Sequence, residues 1–285
     1  MQASDVRSVG VVGCGLMGSG IVEVCARSGC EVVFLESSPD LVAAGKDRVA
    51  RSMEKAVERG RLSADDRDAA LAAIRGTTDI ADLGGADLVI EAATEDYATK
   101  REVFRRLDGV ARPGVILASN TSSIPIADLG AATGRPDRVI GMHFFNPVPV
   151  MALIELVKAI TTSEETVEFA RAFGVMLGKT TVESRDRAGF IVNRLLIPYL
   201  NAAVRMLEEG FATREDIDTA IHLGLNHPMG PLQLVDFIGV DTTLFVANVL
   251  YEEFRDPLYA APPLLKRMVT AGHLGRKTGR GFYEY

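Results

Sequence analysis

The sequence is poor in the residues that carry metal and redox chemistry. Its 285 residues include only three cysteines and four histidines. Cys14, Cys25 and Cys30 all lie near the N-terminus, and their odd, clustered spacing matches neither a disulfide framework nor a metal site. They read as reduced thiols, so a cytosol-like, cytoplasmic location is expected and no metal is. Positive charge is also in deficit. Lys and Arg number 31 against 38 Asp and Glu, a net charge of −7 that excludes a global nucleic-acid footprint. Long apolar runs are lacking: the opening "MQASDVRSVGVVGCG" carries Asp5 and only a short apolar stretch cut by glycines. Neither a secretory signal nor a membrane span is expected from it. Low-complexity tracts and internal repeats are missing as well.

What remains is ordinary globular material, 47% hydrophobic and 24% charged. The length suits one large or two smaller domains. Short β-branched runs at 8–12, 31–35, 87–91, 115–119 and 139–143 alternate with helical patterns at 17–28, 39–59, 99–111 and 124–130. That alternation predicts an α/β fold of Rossmann type, with a mostly parallel sheet covered on both faces. Residues 153–159 form a further strand candidate and 163–177 another helix. The character changes at "VESRDRAG", which is polar and glycine-bearing, as a linker would be. Helical patterns follow at 190–209, 214–222, 232–254 and 263–271. The expected division is therefore a dinucleotide-type domain over 1–184 and a smaller all-α domain over 185–285.

The segment "VGVVGCGLMGSG" contains Gly13-Cys14-Gly15-Leu16-Met17-Gly18, a G-x-G-x-x-G placed between a predicted strand and a predicted helix. That context gives the pattern its meaning. Gly13 permits a tight turn, Gly15 lets backbone approach a diphosphate, and Gly18 lets helix and strand pack closely. Glu36 closes the second strand, at the position of a carboxylate that bonds the adenosine ribose hydroxyls. Ser37, Ser38 and Pro39 follow it, with no arginine to hold a 2′-phosphate. The expected cofactor is NAD rather than NADP.

Other polar residues stand at the ends of later strands. Glu91, Glu95 and Lys100 follow the fourth predicted strand, and Ser119-Asn120-Thr121-Ser122-Ser123 follow the next. Helix capping accounts for such residues in general, but both groups project from the carboxyl edge, where this architecture binds ligands. His143 ends the strand "DRVIGMH" on that same edge. Downstream, Glu155 is the one carboxylate in "VMALIELVKA". A buried carboxylate needs a partner, and a chain returning from His143 would set Glu155 against the imidazole, orient it and raise its basicity. A structural histidine beside a water-facing edge glutamate is the competing reading.

Two further features stand out. Asn193 sits within "GFIVNRLLIPYLNAAVRML", a helix expected to be buried on more than one face and bent at Pro198. Such an asparagine needs a hydrogen-bond partner from the other domain, a substrate or a core network. The stretch "KDRVARSMEKAVERGR", 46–61, carries six basic and three acidic residues. It is a solvated helix face or a receiver for an anionic handle such as the phosphates of coenzyme A.

The ordered set "GCGLMGSGI", "EAATED", "SNTSS", "GMHFFNPVPVM..IEL", "GFIVNRLL", "HPMGP..L.D..G.D" and "GRKTGRGFYEY" resembles the L-3-hydroxyacyl-CoA dehydrogenases. The likeness is to the short, stand-alone type that includes 3-hydroxybutyryl-CoA dehydrogenase, and it spans nearly the whole chain. The resemblance implies that His143 is the catalytic base, that Glu155 orients it, and that Ser122 and Asn193 bond substrate oxygens. It implies NAD contacts from the glycine loop and from Glu36, Glu95, Lys100, Ser122, Asn146 and Lys277. Coenzyme A would meet Ser52 and either Lys55 or Arg59, two basic residues that compete for the role. It further implies a homodimer formed through the helical domain, acting on an acyl-CoA in fatty acid β-oxidation or butanoate metabolism. His227, in "HPMGP", reads as a loop residue. Two rival readings stand beside this one. One is a dehydrogenase of a small hydroxy or sugar acid without coenzyme A; the other is a non-enzymatic NAD-binding sensor or structural protein.

Overall fold

The computed structural model describes residues 5–285, and the chain divides into two compact units, Met1–Arg187 and Ala188–Tyr285. The division falls three residues later than the expected 184. The polar "VESR" is the end of a strand rather than a linker: Thr180–Arg185 runs as the last strand of the first unit. An outermost strand has no partner on one side, so it tolerates polar residues that a central strand would reject.

The first unit is an eight-stranded sheet. In chain order it contains β1 (Ser8–Val12), α1 (Leu16–Arg27), β2 (Glu31–Leu35), α2 (Pro39–Glu58), α3 (Ala64–Ala72), β3 (Ile74–Thr77), β4 (Leu88–Glu91), α4 (Tyr97–Val110), β5 (Ile116–Ser119), α5 (Ile126–Gly130), β6 (Val139–Phe144), β7 (Leu153–Lys158), α6 (Glu164–Met176) and β8 (Thr180–Arg185). The strand order is β3-β2-β1-β4-β5-β6-β7-β8. Strands β1 to β6 are parallel, β7 runs antiparallel to β6, and β8 is parallel to β7. The order reverses between β1 and β4, which opens a crevice at their carboxyl ends. Strand β3, "IRGT", and helix α3 were not expected from the sequence. The strand is four residues long and contains Gly76, where a Cβ would come within 2.5 Å of Val42 and 2.7 Å of Phe34.

Every residue of β4, β5 and β6 is buried. Helices on both faces of a parallel sheet leave no wet side, so these strands read as continuous apolar runs. Ile21, Val22 and Cys25 of α1 share one core with Val9, Val11, Val32, Phe34, Leu88 and Ile90. Helix starts are fixed locally. The side chains of Ser38, Asp96 and Ser163 accept from the backbone N–H of Leu41, Thr99 and Thr166.

The second unit is helical, with α7 (Val192–Glu208), α8 (Arg214–Gly224), α9 (Pro231–Ile238), α10 (Val240–Phe254) and α11 (Pro263–Thr270). The pattern at 232–254 is two helices, not one. Gly239 adopts φ +108°, which only glycine takes up readily, and α9 and α10 meet at 96°. No single helix among the described residues is long and apolar enough to cross a membrane. Leu200, Val204, Leu232, Val235, Val240 and Leu265 form the core. Asp236 accepts from the backbone N–H of Phe282 (2.8 Å) and Tyr283 (2.9 Å), which fastens the C-terminal segment. A Cβ at Gly281 would stand 1.9 Å from that carboxylate, so the glycine of "GRGFYEY" is a packing requirement.

Candidate functional site

The loop after β1 has the shape that a dinucleotide diphosphate needs. Gly13 adopts φ +88°, and a Cβ there would lie 2.8 Å from the Ala92 carbonyl oxygen. A Cβ at Gly18 would lie 1.9 Å from the carbonyl oxygen of Gly13, so α1 and β1 approach as closely as backbones can. Gly15 differs: nothing of the protein lies within 4 Å of a Cβ built there. Its lack of a side chain keeps open the space in front of α1. That helix has no side-chain cap and no acidic residue in its first turn. Its first N–H groups and positive dipole end are thus available to an anion. Cys14 is buried, Met17 half-buried and Leu16 exposed. Glu36, half-buried at the end of β2, accepts from the Cys14 N–H at 2.6 Å, so its carboxylate is fixed beside the loop. These residues fit NAD.

The next strand ends carry a connected set of charges and hydroxyls. Glu91, fully buried at the end of β4, pairs with Lys100 at 2.6 Å. It also accepts from Ser119 Oγ at 2.6 Å and from the Ala93 N–H at 2.7 Å. Lys100, expected at the dinucleotide, is only 1% exposed. The structure places it inside, where it bridges Glu91 and, at 3.4 Å, Glu95. Glu95 in turn gathers the loop after β5. One carboxylate oxygen accepts from Thr121 Oγ1 (2.6 Å), Ser122 N–H (2.9 Å) and Ser123 Oγ (2.9 Å), with Ser122 Oγ at 3.3 Å. Burial pushes the Glu95 pKa up, but the Lys100 ammonium and these hydrogen bonds outweigh it and hold the carboxyl below its usual value. Ser122 is therefore held in place by an ionised carboxylate.

His143 and Glu155 occupy one rung of the β6–β7 ladder. Opposed residues of an antiparallel pair point to the same face, about 5 Å apart at Cβ. Their side chains meet there, with His143 Nδ1 2.7 Å from Glu155 Oε2. Glu155 is fully buried and His143 is 7% exposed. The water-facing glutamate is thereby excluded. β7 is not an edge strand, because β8 covers it. Phe145 lies against the imidazole with ring centroids 4.6 Å apart. Asn120 Oδ1 accepts from the Phe144 N–H at 2.8 Å, tying the end of β6 to the serine-rich loop.

Asn146 is exposed just beyond β6. Ser52 and Lys55 lie at helical spacing on α2 and Arg59 is its C-cap, with Ser52 half-buried and both basic side chains exposed. In the second unit, Asn193 is half-buried in the first turn of α7. That helix buries only Ile197, Leu200, Asn201, Ala203 and Val204, and Leu195 is 71% exposed. The expected burial on several faces is not found within the chain. Lys277 pairs with Asp241 at 2.6 Å. His227 lies in a loop, as expected.

Comparison with known proteins decides the family. The pattern described as "3-hydroxyacyl-CoA dehydrogenase, NAD binding domain" matches residues 8–187, and that of the C-terminal domain matches 189–285. The chain belongs to the 3-hydroxyacyl-CoA dehydrogenase family. It is an oxidoreductase that uses NAD. A 3-hydroxybutyryl-CoA dehydrogenase of Mycobacterium tuberculosis is 53% identical over 100% of both chains. The human mitochondrial hydroxyacyl-coenzyme A dehydrogenase is 44% identical over 98% of this chain and 91% of its own. A crystal structure of (S)-3-hydroxybutyryl-CoA dehydrogenase from Ralstonia eutropha is 49% identical, with a TM-score of 0.94 and 99% of each chain covered.

Several residues of the site had no role assigned from the sequence. Glu91 anchors Lys100 and is itself held by the Ser119 hydroxyl, Asn120 braces β6, and Asp186 accepts from the N–H groups of Ile126 (2.9 Å) and Ala127 (2.8 Å) to fix α5. Glu91 alone left a signal: a carboxylate ending an apolar strand, with a lysine nine residues on. The others depend on contacts between segments far apart in the chain.

Proposed function

We propose that this dehydrogenase interconverts L-3-hydroxybutyryl-CoA and acetoacetyl-CoA, with His143 as the general base and Glu155 as its orienting partner. The observation that carries the reading is the buried His143–Glu155 pair at the same sheet edge as the dinucleotide loop. The four-carbon substrate is supported by the names of the Mycobacterium and Ralstonia relatives.

NAD, when bound, accepts the hydride released from C3. The residues of the chain do the rest. His143 Nε2 takes the proton of the 3-hydroxyl as the C3–H bond breaks, leaving a 3-keto group. Glu155 holds the Nδ1 proton and stabilises the imidazolium that forms. In the reverse direction the imidazolium returns the proton to the developing alkoxide. Ser122, fixed by Glu95, and Asn193 donate hydrogen bonds to substrate oxygens. Glu36 bonds the adenosine ribose, while Asn146 and Lys277 serve the cofactor. Lys100 acts through Glu91 and Glu95. Ser52 with Lys55 or Arg59 receives the phosphates of coenzyme A.

The enzyme works in the cytoplasm as a homodimer. Three unbridged, buried thiols support the compartment. Exposed Leu195, Phe211 and Leu223 on the helical unit support the dimer, which sedimentation at micromolar concentration tests. The substrate is tested by following NADH oxidation with 3-ketoacyl-CoAs of increasing length. The highest kcat/KM is expected at four carbons. A maximum at long chains would overturn the substrate, and turnover of free hydroxy acids alone would overturn the need for coenzyme A.

A further inference from the structure

The adenosine end of the dinucleotide loop holds a cation that the sequence order hides. Twelve residues beyond Glu36, Arg48 reaches back from α2 and donates through Nη1 to the carbonyl oxygen of Cys14 at 2.6 Å. Glu36 accepts from the N–H of the same residue, also at 2.6 Å. Standard backbone geometry sets the N and O of one residue only about 3 Å apart. The carboxylate and the guanidinium therefore flank a single residue of the G-x-G-x-x-G loop. Both charges act on the Cys14 thiol. Burial raises its pKa most, Glu36 raises it further and Arg48 lowers it, for a value of about 12.

A guanidinium has five N–H donors in a fixed fork. Arg48 places one on Cys14, and no carboxylate among the described residues forms an ion pair with it. It is half-buried, so its charge is less screened than that of a free surface arginine. Such a fork suits a phosphate monoester.

We propose that Arg48 is a latent 2′-phosphate-binding residue, so that the chain carries a cation suited to NADP and Glu36 alone keeps the phosphate out. The proposal rests on Glu36 being the ribose acid. A carboxylate bonded to the ribose repels a 2′-phosphate, and that repulsion dominates while Glu36 is ionised. With the charge at 36 removed, a 2′-phosphate brought beside Cys14 would meet the Arg48 guanidinium without that repulsion. The cofactor preference is then set by two residues of opposite sign on one loop position, not by an acid alone.

The test compares wild type, E36Q, R48Q, E36Q/R48Q and E36Q/R48K. Dissociation constants for NADH and NADPH are measured from their own fluorescence, and 2′,5′-ADP is titrated by calorimetry. In E36Q the NADPH-to-NADH affinity ratio should rise at least ~10-fold, the size of a charge-assisted hydrogen bond gained and a repulsion lost. E36Q/R48Q should return that ratio towards the wild-type value, and E36Q/R48K should keep most of the gain. 2′,5′-ADP should follow the same order. If E36Q leaves both affinities unchanged, Glu36 is not the ribose acid and the proposal falls with it. If E36Q and E36Q/R48Q gain NADPH affinity equally, Glu36 stands and Arg48 is not a phosphate ligand. If R48Q weakens both dinucleotides by the same factor, Arg48 only shapes the loop, and the proposal is again overturned. If R48Q instead raises KM for acetoacetyl-CoA and spares the dinucleotide ratio in the E36Q background, Arg48 belongs to the coenzyme A helix.

Discussion

His143 and Glu155 face each other across one rung of an antiparallel ladder, with Nδ1 and Oε2 2.7 Å apart, and the carboxylate has no exposure to water. The direction reversal at β7 is what makes this possible. A parallel crossover would have carried residue 155 to the far end of the sheet. The turn after β6 instead brings it back to the carboxyl edge. A hydrogen-bonded pair so enclosed is oriented by the sheet itself and not by a mobile loop.

His143→Ala should lower kcat by about 10²–10⁴-fold, the range for a positioned acid–base group. NADH affinity should change little, because the dinucleotide is held by the loop 13–18 and Glu36. Glu155→Gln keeps shape and removes charge, and should lower kcat as well. The double variant should lose little more than His143→Ala alone if the two act as a unit. Steady-state kinetics of all four proteins with acetoacetyl-CoA, together with NADH titration, give the answer. Multiplicative losses would mean that Glu155 works independently of His143.

Lys100→Met should destabilise the first unit strongly. It leaves Glu91, fully buried, without its ammonium partner. Removing one member of a buried pair costs about 3–5 kcal/mol. Replacing Glu91 by Leu in the same chain removes the stranded charge, so the double variant should unfold at higher urea than Lys100→Met. Urea titrations that rank the double variant below the single would contradict this account.

Glu95 gives stability a pH dependence of known sign. Its carboxyl is held below the usual 4.5 in the folded chain. The unfolded chain therefore takes up that proton first as pH falls. The contribution is fully present above about 4.5 and is lost as pH drops through the lower folded value. Urea midpoints of wild type and Glu95→Gln should differ by a constant amount from pH 8 to 5 and converge below 4.5. A difference that grows towards low pH would reverse the sign of the assignment.

Charge reversal at Lys55 and Arg59 should raise KM for acetoacetyl-CoA and leave NADH affinity within about twofold. Phosphate recognition by exposed cations is screened, so the effect should shrink with added salt. An unchanged KM at low ionic strength would return these side chains to an ordinary solvated helix face.

The parallel core was legible because its physics is local. β1, β2, β4, β5 and β6 are largely apolar, as doubly covered strands must be, and Gly13 and Gly18 of the first loop mark positions where no Cβ fits. β3 and β8 were not legible. Both are outer strands with polar residues, and the polarity that marks a loop also marks an outermost strand. The break at Gly239 was hidden for the opposite reason: apolar residues continue on both sides of it, so only the backbone conformation reveals the turn.

By itself the sequence determined the alternation of strands and helices and the cofactor loop with Glu36, which follow from residue type and short-range order; it offered the pairing of His143 with Glu155 as one of two readings, and the antiparallel return of β7 decided between them. Only the tertiary structure decided that Lys100 lies inside against Glu91, that Glu95 holds Ser122, that Asp186 fixes α5, and that Arg48 returns to the cofactor loop. Each of these depends on a side chain finding its partner once separate elements have packed. A charge carries its sign in the sequence, but its partner is selected by distance, and distance between remote segments is set only by the fold.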